Sequence, residues 1–96
     1  MLDKSKNISI AEYILKRYEP NDGLYYFYNA KAEKCWKCDE TVGSVISTLN
    51  GAFNFSEIID ILAENNPNSS RKEIEEIFEY TFNFLLEEEF IVYTDW

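Results

Sequence analysis

Residues 34–51, KCWKCDETVGSVISTLNG, decide the fold, because an apolar period of two gives way within them to a helical one. Alternation puts Lys34, Trp36 and Cys38 on one face of a strand and Cys35 and Lys37 on the other. Asp39 then offers a side-chain acceptor suited to a helix N-cap, and Glu40 meets the positive end of the helix dipole in the first turn. Val42, Val45, Ile46 and Leu49 share a helical face, and Asn50-Gly51 closes the segment with residues that tolerate a left-handed backbone. Strands are expected before this junction and helices after it.

Upstream, residues 13–18 alternate in strand fashion and stop at the turn residues Pro20-Asn21-Asp22-Gly23. Leu24 to Tyr28 form a second strand, whose unbroken apolar run predicts that both faces are partly covered. After the polar connector 29–33, residues 34–38 return antiparallel as the third. Residues 1–11 are mostly polar, with isolated Leu2, Ile8 and Ile10, and are expected to be a flexible lead-in to a single domain over 12–96.

Downstream, Asn54 with Glu57 has the spacing of a capping box, and Phe53 is placed to pack on Ile58 as a hydrophobic staple. This helix stops at Asn65-Asn66-Pro67. Ser70 and Glu73 repeat the box for a third helix running to about Glu88. Here Phe84, Ile77, Thr81, Ile74, Leu85, Phe78, Phe82 and Leu86 sweep roughly 200° of arc, where a core-facing stripe needs only about 100°. Either the chain end (Phe90, Ile91, Val92, Tyr93, Trp96) folds back over the surplus, or a partner covers it. Glu87-Glu88-Glu89 at the helix end opposes the dipole, a cost the sequence leaves unexplained.

With 96 residues the chain forms one thin core, and its 17% aromatic content supplies the bulk. Charge is divided unevenly. Residues 1–37 hold 7 basic and 5 acidic side chains, net +2, whereas residues 38–96 hold 2 basic and 13 acidic, net −11. A helical half of that sign repels nucleic-acid phosphate and anionic membrane surfaces. No segment has the pattern of a membrane span or signal peptide, so a cytoplasmic location with reduced thiols is expected.

Cys35-Trp36-Lys37-Cys38 invites a redox or metal reading. Both cysteines precede the helix cap, however, and an i, i+3 pair on a strand points to opposite faces. A structural zinc site wants four ligands, and there is no histidine and no third cysteine. Gly23, Gly43 and Gly51 are too scattered for a phosphate loop, and no nucleophile–base pair presents itself. No catalytic residue, metal or cofactor is therefore expected. What remains is surface: an edge-like strand, Lys34, Cys35, Trp36 and Lys37, beside an over-apolar helix flanked by Glu75 and Glu79 is the recipe for β-augmentation by a peptide.

The order of these features, with CDETVGSVISTLNG at the junction, then FNFSEIIDIL, then SRKEIEEIFEYTFNFLLEEEFIV, resembles the PqqD-like family, or RiPP recognition elements. Cys38, Asp39, Glu40, Thr41, Gly43 and Gly51 occupy the family's junction positions, and Glu57 and Ile58 its Glu-Ile; the match spans about residues 12–93. The resemblance implies an α+β, winged helix-turn-helix-like domain with a three-stranded antiparallel sheet followed by three helices. It also implies that the domain binds the leader of a ribosomally made precursor peptide and presents it to a modifying enzyme, commonly a radical SAM maturase. By position, Lys34, Cys35, Trp36 and Lys37 would pair with the leader, and Glu75, Phe78, Glu79 and Phe82 would form the helical wall. The chain departs from the pattern at Glu89, where a glycine is usual, and at Cys38, where leucine is usual. Such a protein would act as a monomer or homodimer. The alternative, a winged-helix DNA-binding regulator, would present Glu73, Glu75, Glu76 and Glu79 against only Arg71 and Lys72.

Overall fold

The computed structural model describes residues 2–94; Trp96, expected over the flank of the last helix, lies outside them. The three predicted strands are present as β2 (Ile14–Glu19), β3 (Leu24–Asn29) and β4 (Lys34–Asp39), forming an antiparallel sheet in the order β2-β3-β4. The register places Tyr25 opposite Tyr18 and Cys38, and Phe27 opposite Lys16 and Trp36. The inner face therefore carries an aromatic succession, Tyr18–Tyr25–Phe27–Trp36–Phe90, with ring centroids 4.8, 6.1, 5.6 and 6.4 Å apart. On the outer face, Leu15–Tyr28–Cys35 and Arg17–Tyr26–Lys37, the residues Leu15, Tyr28 and Cys35 are exposed and Tyr26 is half-buried, so the apolar run of β3 is covered on both sides as expected, but more deeply on the inner one.

Helix α1 (Glu40–Ser47) starts where the period changes, with Asp39 accepting the Val42 N–H at 2.9 Å. It lies close on β3 because Gly43 faces Tyr25; a Cβ there would stand 2.3 Å from the ring. Helix α2 (Phe55–Asn65) has the full capping box, with Asn54 and Glu57 exchanging bonds at 2.9 Å in both directions. Helix α3 (Arg71–Glu87) is capped by Ser70 Oγ, which accepts the Glu73 N–H at 3.1 Å. The domain is thus α+β and winged helix-turn-helix-like, as expected.

A second sheet was not legible. Strands β5 (Asn50–Asn54), β1 (Asn7–Ile10) and β6 (Ile91–Thr94) form an antiparallel sheet in the order β5-β1-β6. Residues 7–10, expected in the lead-in, are its central strand, with Ile8 buried and facing Tyr93, and Ile10 facing Ile91. Before them Leu2 is buried and the Asp3 N–H donates to Tyr93 Oη at 2.6 Å. The N-terminus is thus part of the core. Its strand pairs only with segments more than 40 residues away, so no local signal announces it. Helix α1 ends earlier than expected, at Ser47 with Thr48 as its C-cap, and Asn50-Gly51, with Gly51 at φ 87°, open β5 instead of closing the helix.

Ile8, Phe27, Ile46, Phe55, Ile59, Phe82, Leu85 and Ile91 are the innermost side chains, so one core joins both sheets to all three helices. No helix among the described residues is long and apolar enough to cross a membrane.

Candidate functional site: an open strand edge beside helix α3

Strand β4 has β3 on one side and, among the described residues, no strand on the other, so one row of its backbone N–H and C=O groups is unpaired in the sheet. Trp36 and Cys38 are half-buried on its inner face, and Lys34, Cys35 and Lys37 are exposed. The edge is held relative to α3 by three contacts around the helix C-terminus. Asn29, fully buried at the end of β3, donates through Nδ2 to the carbonyls of Glu88 (3.0 Å) and Glu89 (3.2 Å), while its Oδ1 accepts the Ala32 N–H at 2.9 Å. Lys34 Nζ meets Glu88 at 2.6 Å, and Lys31 Nζ meets Glu89 at 3.5 Å. These cations offset the glutamate run, whose charge opposes the dipole.

The helix ends in a Schellman motif. Phe90 N–H donates to Leu85 O at 2.8 Å and Glu89 N–H to Leu86 O at 3.2 Å, with Glu89 left-handed at φ 62°. Glu89 therefore does in a strained way what glycine does freely, and the helix end keeps its form despite the substitution.

On α3 the apolar surplus resolves into two parts. Ile74, Phe78, Phe82 and Leu85 are buried, Phe82 at 0% exposure and Phe78 at 6%, with Phe82 edge-on to Phe55 at 5.3 Å. Phe78 and Phe82 are thus core rings rather than an open wall: they pack edge to face, Phe82 meets Phe55 of α2, and both join the core that includes Ile8 of β1 and Ile91 of β6. The exposed remainder is Ile77 (58%) and Phe84 (40%), with Thr81 half-buried between them. Ile77, Thr81, Phe84 and Glu88 stand at i, i+4, i+7 and i+11, which makes them one stripe. That stripe ends on the Glu88–Lys34 pair, so it and the open edge of β4 meet at this corner. The amphipathic arc contained this signal, but without the second sheet nothing chose which flank stayed open.

Glu75 and Glu79 lie on the other flank, where Lys4 Nζ reaches them at 3.6 and 2.9 Å and sits 5.7 Å from the Phe55 ring centroid. Glu79 foremost holds the Lys4 ammonium above its ordinary pKa. The N-terminal segment, unforeseen as structure, therefore engages both carboxylates.

Cys35 and Cys38 are free thiols facing opposite sides of the sheet. Burial, then Asp39, pushes the Cys38 thiol up to about 11, away from a nucleophilic thiolate. Among the described residues no three His, Cys, Asp or Glu side chains gather to hold a metal.

No family model and no curated protein matches the chain. Among solved structures it is similar to one described as TbiB1 in complex with the TbiA(beta) leader peptide, with a TM-score of 0.72 at 16% identity, covering 91% of this chain and 99% of that one. The fold of this chain is that of TbiB1, and it is the architecture that the PqqD-like resemblance implied.

Proposed function

We propose that the chain is a non-enzymatic recognition protein that binds the leader of a ribosomally made precursor peptide and presents it to a modifying enzyme, a radical SAM maturase or another class, in the cytoplasm. The observation that carries this reading is the unpaired edge of β4 meeting the exposed Ile77–Thr81–Phe84 stripe of α3, in a fold shared with a protein solved with a leader peptide. A leader added as a fourth strand would satisfy the outward-facing backbone groups, which belong to every second residue along Lys34, Cys35, Trp36 and Lys37, and its alternate side chains would meet Ile77 and Phe84. Backbone pairing would supply affinity, and the stripe would select side chains.

The test is a titration with the leader of a precursor encoded beside this chain, in a Trp96→Phe background so that Trp36 reports. Saturable binding is expected, weakened at least about tenfold by Phe84→Asp at unchanged melting temperature. No saturation at high micromolar leader would overturn the reading.

A further inference from the structure

We propose that the groove between α1, β5 and α2 is a second docking site, which takes an apolar anchor carried on a lysine- or arginine-bearing helix of the modifying enzyme; this rests on the reading above for the identity of the occupant. Val45, Leu49, Phe53, Ile58, Ile61 and Leu62 line it around a volume of about 270 Å³. Pockets for small ligands run from roughly 300 to 1,000 Å³, so this one suits one or two large side chains better than a cofactor. Phe53 stands 46% exposed and Ile61 42%.

The groove has little to offer a polar ligand. At its lip Ser44 Oγ already donates to Thr41 O (3.1 Å), Thr48 Oγ1 to Val45 O (2.8 Å), and Asn50 Oδ1 accepts the Ala52 N–H (3.1 Å). Its walls make it a slot between helices, the geometry that receives an amphipathic helix.

Charge selects the occupant. Segments 40–47, 50–54 and 55–65 contain no lysine or arginine. Around Ile61 on α2 stand Glu57, which is committed to the capping box, Asp60, which pairs with Arg71, and Glu64, which has no partner among the described residues. An occupant with basic flanks is attracted, and an acidic one is repelled. A second copy is disfavoured: its α3 stripe is bordered by Glu73, Glu76 and Glu87, and docking its basic outer sheet face here would be a head-to-tail contact that does not close on itself. None of the groove residues belongs to β4 or α3, so leader and enzyme can be held together.

The probe is a synthetic amphipathic helix with a Leu/Phe stripe flanked by lysines, with a glutamate-flanked twin as control, added to the isotope-labelled chain saturated with leader. The lysine helix should shift the amides of Val45, Phe53 and Ile61 and leave leader-induced shifts in place. Ile61→Glu should weaken it about tenfold or more, and should weaken the modifying enzyme encoded beside the precursor equally without affecting the leader; Phe53→Ser serves if Ile61→Glu does not fold. Shifts confined to β4 and α3, displacement of the leader, equal binding of the glutamate twin, no binding, or a dimer abolished by Ile61→Glu would each overturn the proposal. Groove binding by a chain that ignores the leader would keep the docking site and overturn the leader reading alone.

Discussion

Asn29 is the residue on which the geometry of the candidate site turns. It is buried, polar and fully bonded, tying the end of β3 to the last carbonyls of α3. Asn29→Ala would leave those carbonyls without their donor, a cost of about 1–3 kcal/mol, and should lower both the unfolding midpoint and leader affinity. Glu89 offers the opposite experiment. A non-glycine side chain at φ 62° carries about 1 kcal/mol of strain or more, against the smaller value of its exposed pair with Lys31. Glu89→Gly is thus expected to raise the melting temperature by several degrees, and a fall would mean that the ion pair outweighs the strain. At Cys38 the raised pKa has a definite sign. The folded thiol stays protonated to about pH 11 while the unfolded one ionises near its ordinary value, so the unfolded state binds fewer protons over that window. Stability should therefore decline from about pH 9 to 11, less steeply in Cys38→Ala, and at pH 8 iodoacetamide should modify exposed Cys35 well before Cys38.

At the scale of elements, the caps and periods were legible because they are local. Asp39, Asn54 and Ser70 each cap the helix that their side chains predict, since the bonds they make reach three residues or fewer. Helix α1 depends also on one packing contact that composition cannot reveal. Gly43→Ala improves helix propensity by about 1 kcal/mol yet drives a methyl into Tyr25, so thermal denaturation should show a net loss. Along α3 the two halves of the apolar arc should separate by experiment. Phe82→Ala removes a fully buried ring and should cost about 3–5 kcal/mol in denaturant unfolding, whereas Ile77→Asp, on the exposed stripe, should leave stability near wild type and weaken the leader.

For the whole molecule, the decisive correction concerns the N-terminus. Because β1 is the middle strand of β5-β1-β6, deleting residues 1–10 should abolish cooperative unfolding, where loss of a loose lead-in would be silent by circular dichroism. The sequence by itself determined the β2-β3-β4 sheet, the strand-to-helix switch at Asp39 and the three helices with their N-caps, because each rests on periodicity or hydrogen bonds between near neighbours. It also determined that α3 is too apolar for a simple core stripe. Only the tertiary structure decided which rings are core and which are free, since that depends on β1, β5 and β6, whose pairing joins residues 7–10 to 50–54 and 91–94. Contacts over such separations leave no period in the chain, and so Phe78 and Phe82 read as surface although they are buried in the core shared by α2, α3 and the second sheet.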